Sequence, residues 1–583
     1  MIGIVRGINM KKLMLGNEAI ARGAYEAGIT VATAYPGTPS TEITEFIAKY
    51  DEIYAEWAPN EKVAMEVAIG SSIAGAKSIV TMKHVGLNVA ADPLFTAAYT
   101  GVNGGLVFCI ADDPGMHSSQ NEQDTRMLAR ASHVPVLEPS DSEECKAFVK
   151  KAIEISEIYD TPIILRLTTR VAHSQGIVEC GEREKHEIKA YEKNIPKYVM
   201  TPNNAKARHI IVEERMNRLS SDMKALGLYR EEEVGSKIGI ITSGINYEYV
   251  KESGVEANIL KLHMVNPLPI DAIKEFASKV DTLYIVEELE PVIEEQVKAL
   301  GLKAKGKELF GKQGELSVRK IKEIFELEVP TIRAAEKLPI RPAVLCPGCP
   351  HRGVYTILRK LNLVITGDIG CYTLGSMPPH DAMDTCVCMG ASIGMAHGMA
   401  LARGKAFAKK VVGIIGDSTF VHSGITGLID IVYNKGISTV IIADNSITGM
   451  TGHQHNPTTG FTLKGEVTYA LDLPKLCKAI GIPNVVVVDA YDMKAVENAL
   501  REEIVKEEPS VIITKAPCKL IIKEKWEPLS ISDACIKCGV CLKLGCPALC
   551  KSEEGITINK ALCAGCGLCA SICPKQAVSK GVK

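Results

Sequence analysis

Residues 410–446 read KVVGIIGDSTFVHSGITGLIDIVYNKGISTVIIADNS, and the architecture follows from how this stretch divides. Lys410–Gly416 carries Val411, Val412, Ile414 and Ile415, a continuous apolar run of strand length, and ends in Gly416-Asp417-Ser418. Ile425, Leu428, Ile429 and Val432 follow at helical spacing, and Lys435-Gly436 stops that helix. A second buried run, Ser438–Ala443, ends in Asp444-Asn445-Ser446. This is a βαβ unit with polar residues at the carboxyl ends of both strands, the edge at which open parallel sheets bind ligands. Asp417 and Asn445 are 28 positions apart in sequence but neighbours on that edge, and each offers a hard oxygen. Mg²⁺ favours such ligands and bridges them to phosphates. Gly416 lets the backbone approach a diphosphate, and the helix N-terminus favours its charge. The same two residues also suit a Rossmann-like domain with one turn Asp and one turn Asn.

The alternation of strands and helices extends outward. In residues 1–180, Val80–His84 and Gly105–Ala111 read as strands and Asn17–Gly28 and Val63–Gly75 as helices. Residues 181–234 are highly charged and read as a connector. Lys237–Thr242, Ala257–Leu262 and Leu283–Glu287 are strands of a smaller α/β unit at 235–305. A second charged connector, 306–340, leads to the α/β domain at 341–520 and a cysteine-rich domain at 525–583. The expected fold class is α/β, several parallel-sheet domains followed by a small α+β domain. A chain of 583 residues exceeds what one core of about 250–300 residues holds. With 46% apolar residues and a net charge of −2, nothing points to nucleic acid or an anionic membrane. No apolar run reaches the roughly 18–20 residues of a membrane span. The N-terminus lacks a secretory pattern, so a cytoplasmic location is expected.

The nineteen cysteines carry the second signal. In a reducing compartment they argue for metal rather than disulfides. Cys563, Cys566, Cys569 and Cys573, with Pro574 after the last, fit the two-cluster pattern C-x2-C-x2-C-x3-C-P, in which each fourth cysteine ligates the other cluster. Cys535, Cys538, Cys541 and Cys546, followed by Pro547, fit it with four residues instead of three before the last cysteine. The crossed rule gives one [4Fe–4S] cluster to Cys535, Cys538, Cys541 and Cys573, and a second to Cys546, Cys563, Cys566 and Cys569. Cys550 is the alternative to Cys546.

Three segments resemble the thiamine diphosphate-dependent 2-oxoacid:ferredoxin oxidoreductases. The first is Gly416-Asp417-Ser418 with Asn445, close to the G-D-G…N thiamine motif but with Ser418 for the second glycine. The second runs from Asn445 to Gln454. The third is Tyr35-Pro36-Gly37-Thr38-Pro39-Ser40-Thr41-Glu42 together with Gly16-Asn17-Glu18-Ala19. With the fused cluster tail, the likeness covers nearly the whole chain and is nearest to the indolepyruvate:ferredoxin oxidoreductase alpha subunits.

The resemblance implies a pyrimidine-binding domain at 1–180, a transketolase-C-like unit at 235–305, a diphosphate-binding domain at 341–520 and a ferredoxin-like tail. It implies thiamine diphosphate with Mg²⁺ held by Asp417, Asn445 and the backbone carbonyl of Ile447, with Gly416, Ser418, Thr448, Gly449 and Met450 lining the cofactor. Thr38 is expected to bind substrate or cofactor, or to act as a plain helix cap. A glutamate must hydrogen-bond the pyrimidine: Glu66 by its spacing from Gly75-Ala76, with Glu61 as the alternative. Lys83 and His84 end a strand where an anionic substrate could be met. Cys346, Cys349, Cys371 and Cys518 correspond to a third cluster near the thiamine, with Cys386 and Cys388 leaving that assignment open. The implied reaction is oxidative decarboxylation of indolepyruvate or another aryl pyruvate with coenzyme A, giving aryl-acetyl-CoA, CO₂ and reduced ferredoxin. The implied partner is a beta subunit carrying a gamma-type domain, in an α2β2 assembly. The rivals are another 2-oxoacid oxidoreductase subunit, a non-redox thiamine decarboxylase with an electron-transfer tail, and a pure electron carrier.

Overall fold

The computed structural model describes residues 10–331, 342–524, 526–553 and 555–580, so the expected limits at 1, 340–341, 525 and 583 lie outside the described residues. The chain divides near residue 334 into two compact units.

The first unit is built on a seven-stranded sheet in the order Met264–Asn266, Val136–Leu137, Ile163–Thr168, Leu106–Asp112, Ser78–Lys83, Val31–Ala34, Tyr54–Trp57. All its pairs are parallel except the first. Every residue of the three strands Ser78–Lys83, Leu106–Asp112 and Ile163–Thr168 is buried, as expected of strands covered by helices on both faces. A four-stranded sheet follows in the order Thr282–Val286, Ile238–Ser243, Asn258–Leu262, Tyr229–Glu232. Because Met264–Asn266 pairs with Val136–Leu137, the segment read as a separate smaller unit shares the first sheet.

Neither charged connector is one. Residues 181–234 contain the 21-residue helix Pro202–Asp222, capped by Thr201, and the strand Tyr229–Glu232. The buried stripe of that helix is Arg208, Val212, Arg215 and Leu219. Half of it is arginine, whose stems pack while their heads bind backbone, so an apolar count misses the stripe. Arg208 Nε donates to Tyr99 O at 2.6 Å and its Nη2 to Asp160 at 2.7 Å. Within the second stretch, Phe310 and Ile321 are buried in one core with Ile240 and Val286.

A fully buried ionic network ties these parts together. Arg126 lies 2.6 Å from Asp124 and 2.8 Å from Glu287; Arg166 lies 2.6 Å from both Asp112 and Glu138. Burial alone would disfavour the Asp124 charge, but Arg126 and Arg166 hold its pKa down at about 2.

The second unit holds a six-stranded, wholly parallel sheet in the order Thr385–Cys386, Val364–Gly367, Val411–Gly416, Thr439–Asp444, Ser510–Lys515, Asn484–Asp489. Gly416 pairs with Ala443, which sets Asp417 beside Asp444-Asn445 at the carboxyl edge. The helix after Gly416 differs from the expected one. A turn, Asp417–Thr419, and a π-helical turn, Phe420–Gly424, precede Ile425–Tyr433. The wider turn rotates the helix so that Leu428 and Ile431 face inward and Ile429 is 47% exposed. The tail forms two small antiparallel pairs, Leu529–Ile531 with Val578–Lys580 and Leu549–Ser552 with Gly555–Ile558. Its Leu544, Ile556, Leu568 and Val578 share a core with Ile357 and Met493. No helix among the described residues is long and apolar enough to cross a membrane.

Replacing Arg126 by Met removes the closest counter-charge of buried Asp124, leaving it only Arg166 at 3.7 Å, and takes the ion pair from buried Glu287, and is expected to destabilise the first unit by about 3–5 kcal/mol. The urea midpoint of the earliest unfolding transition measures it; a midpoint within error of the wild type would contradict the role given to the network.

Candidate active site and cysteine clusters

At the carboxyl edge of the six-stranded sheet, Asp417, Asn445 and Ile447 are all buried. With its nitrogen turned inward, the Asn445 amide donates to Ile447 O at 2.7 Å and to Asp417 Oδ1 at 3.2 Å. With its oxygen turned inward, three oxygens share that space, the donor set of a hard cation. Burial, and then the Asp444 charge, push the Asp417 carboxyl up to about 7. A divalent ion would reverse that shift, so the residues present fit one.

The other groups around Asp417 escaped the sequence reading. Thr458 Oγ1 donates to Asp417 Oδ2 at 3.1 Å, and Asn456 Nδ2 approaches the same oxygen at 3.5 Å. Ser418, in the place of a glycine, accepts from Thr448 Oγ1 at 2.9 Å, which fastens the strand end to the 445–449 loop. That loop closes through paired backbone bonds between Thr448 and Gln454, leaving Met450 half exposed. Asp368 is fully buried and accepts from Gly390 N at 2.8 Å and Ser392 N at 3.0 Å, capping the helix Ala391–Arg403. Asp368 directly follows the strand Val364–Gly367, the same strand-end position that Asp417 holds on its neighbour.

The cysteines gather into three sets. Cys535, Cys538, Cys541 and Cys573 line one small cavity. Cys569 has Cys566, Cys546 and Cys563 as electrostatic neighbours. Both match the crossed pairing, while Cys550 is exposed on the strand Leu549–Ser552. In the third set, Cys371 neighbours Cys518 and Cys346, and Cys349 neighbours Cys371 and Cys346. Cys386 and Cys388 are exposed and neighbour each other instead. Burial pushes the thiols up, Cys371 to about 11 and Cys349 and Cys569 to about 12. A bound metal would reverse this shift by stabilising the thiolates.

The third set touches the cation site. A Cβ on Gly449 would lie 3.3 Å from Cys371 Sγ and 3.6 Å from Asn445 Nδ2, so only glycine allows this approach without a shift. Cys518 N donates to Asn445 O at 2.9 Å. On its far side the set meets the tail: a Cβ on Gly348 would lie 2.6 Å from Ala564 Cβ.

In the first unit, the loop carrying Thr38 and the residues Glu61, Lys83 and His84 come together at one sheet edge. Ser118 bridges them, its hydroxyl donating to Thr38 O at 3.2 Å and its carbonyl accepting from Lys83 Nζ at 3.0 Å. Burial lowers the Lys83 ammonium to about 8, against the pull of Asp113 and Glu61. Burial likewise lowers His84, whose Nε2 contacts Asn121 O at 3.3 Å. Glu66 is not at this edge. It lies on the solvent face of the helix Glu61–Ile73, paired with Lys62 one turn earlier. The burial its expected role requires belongs to Glu61, 5% exposed at the start of that helix.

Comparison with known proteins gives three family matches: "Pyruvate flavodoxin/ferredoxin oxidoreductase, thiamine diP-bdg" over residues 22–232, "Thiamine pyrophosphate enzyme, C-terminal TPP binding domain" over 368–514, and "4Fe-4S binding domain" over 556–579. The chain is 38% identical to the indolepyruvate oxidoreductase subunit IorA of Archaeoglobus fulgidus, covering 97% of each chain. It is 38% identical to the subunit of the same name from Pyrococcus horikoshii, covering 98% of this chain and 97% of that one. The 2-oxoglutarate synthase subunit KorA of A. fulgidus is 26% identical over 54% of this chain.

Proposed function

The chain belongs to the indolepyruvate oxidoreductase IorA family, a thiamine diphosphate- and iron–sulfur-dependent branch of the 2-oxoacid:ferredoxin oxidoreductases, and from that premise we propose its substrate, ion and electron path. The substrate is an aryl pyruvate such as indolepyruvate. With coenzyme A it yields the aryl-acetyl-CoA and CO₂, and two electrons leave singly to ferredoxin. The observation that supports this reading is the contact of Cys371 and Cys518 with the Asn445–Gly449 loop, because a cluster held by these cysteines would lie directly beside an ion held by Asp417 and Asn445.

When bound, thiamine diphosphate supplies the nucleophilic carbon and electron-withdrawing ring that let a 2-oxoacid lose CO₂. Asp417, Asn445 and the Ile447 carbonyl would hold Mg²⁺, and Thr458 and Asn456 orient Asp417. Thr448, Gly449 and Met450 follow on the same loop. Within the first unit, Glu61 and not Glu66 is the buried carboxyl that would hydrogen-bond a thiamine ring, and Thr38 and Lys83 would bind a substrate carboxylate. Cys346, Cys349, Cys371 and Cys518 hold a proximal [4Fe–4S] cluster. Cys546, Cys563, Cys566 and Cys569 hold the next, and Cys535, Cys538, Cys541 and Cys573 the outermost. A partner beta subunit completes the enzyme, in an α2β2 assembly.

The deciding experiment is anaerobic reduction of ferredoxin or viologen by the assembled enzyme with indolepyruvate and coenzyme A. Acceptor reduction matched to acyl-CoA formation is expected. CO₂ release without acceptor reduction would replace this reading with a non-redox decarboxylase.

Two variants test the parts. Asp417→Ala is expected to lose thiamine diphosphate and Mg²⁺ while keeping its iron; cofactor retained at the wild-type level would refute the ion assignment. Cys371→Ser is expected to lower iron from about twelve to about eight per chain, counting four per cluster. An unchanged iron content would remove the proximal cluster.

A further inference from the structure

Arg352 lies between two of the cysteine sets, and nothing acidic balances it. Its side chain is 2% exposed, on the helix His351–Leu361 just after Cys349. Nη1 donates to Leu544 O at 2.8 Å, in the tail loop that leads to Cys546. Nε and Nη2 donate to Cys346 O at 3.3 and 3.2 Å, and Nη2 also to Leu345 O. All its acceptors are backbone carbonyls, and no carboxylate pairs with it among the described residues. Its electrostatic neighbours are Cys546, Cys349, Cys566 and Cys346. Two of these belong to the proximal set and two to the adjoining tail set.

An arginine that cannot shed its proton is costly to bury without a counter-ion. Arg126 and Arg166 show how this chain handles the same problem elsewhere, with two carboxylates within 2.8 Å of each. At Arg352 the available counter-charge is the pair of cysteine sets. A [4Fe–4S] cluster with four thiolates is anionic and becomes more so on reduction, so a fixed cation between two such clusters favours the reduced form of both.

We propose that Arg352 is the positioning residue of the electron path: its guanidinium binds the proximal loop to the tail loop and raises the reduction potentials of the two clusters it separates. The proposal rests on the cluster assignment made above. On each single-electron transfer the proximal cluster is oxidised and the tail cluster reduced by one electron, with no bond made or broken, so the total charge facing Arg352 is the same before and after. The residue thus stabilises the electron on either side without trapping it on one.

The test is an EPR-monitored redox titration of the holoenzyme with Arg352→Gln, Arg352→Met and Arg352→Lys. Gln keeps hydrogen-bonding capacity without charge, and Lys keeps the charge. The potentials of both flanking clusters are expected to fall in the Gln and Met variants and to stay near the wild-type values in the Lys variant. The outermost cluster, that of Cys535, Cys538, Cys541 and Cys573, serves as the internal control and should not move. Equal potentials in the Gln and Lys variants would overturn the proposal, because a purely structural role depends on hydrogen bonds and not on charge. So would a shift of the outermost cluster as large as that of the other two. If the Met variant fails to assemble clusters, the Gln–Lys comparison still decides. Iron for only the tail clusters in the wild-type protein would sink the proximal-cluster assignment itself and this proposal with it, an outcome told apart by iron content before any titration.

Discussion

The approach of the Asn445–Gly449 loop to Cys371 is the contact on which the second unit's arrangement depends. One short segment brings an amide and a carbonyl to the candidate cation site, and passes so close to a cysteine that a side chain at 449 would press on it, the Cβ 3.3 Å from Cys371 Sγ. Its carbonyl at Asn445 also fixes the start of the Cys518 loop. The candidate cation site and the Cys371–Cys518 cysteine set therefore share the same few backbone atoms.

The contact is possible because of the sheet below it. Parallel strands bring successive loops to a common edge, so Asp417, Asn445 and the segment after Ser510–Lys515 converge although they span 100 residues of sequence. The tail adds its hydrophobic residues to the core of the same unit, fixing the cluster ligands to the scaffold that carries the ion site. Charge completes the arrangement: in the first unit the buried Arg126 and Arg166 meet buried carboxylates, and in the second the buried Arg352 has cysteines as its electrostatic neighbours.

The features that could be read from sequence were those whose partners lie at fixed local spacing. The βαβ edge pair and the crossed cysteine sets follow from strand geometry and ligand spacing alone. Spacing favours Glu66 over Glu61, but the two share a helix and differ in which face the rest of the fold covers, and that burial falls to Glu61. The helix Pro202–Asp222 was hidden because arginines occupy half its buried stripe. The π-helical turn after Asp417 rotated the following helix by an amount no periodicity announces. Asn456 and Thr458 reach Asp417 from a loop some forty residues on, with no motif to mark them. Arg352 was invisible as well, since its acceptors are main-chain carbonyls, one of them 192 positions away.

A single-turnover experiment tests the coupling between the ion site and the cysteine sets most directly. The anaerobic, thiamine-loaded enzyme is mixed with one equivalent of indolepyruvate, without coenzyme A or external acceptor, and freeze-quenched for EPR. Reduced-cluster signals that rise together with CO₂ release, and vanish in Asp417→Ala, are the predicted result. Release of CO₂ with every cluster still oxidised would contradict the account.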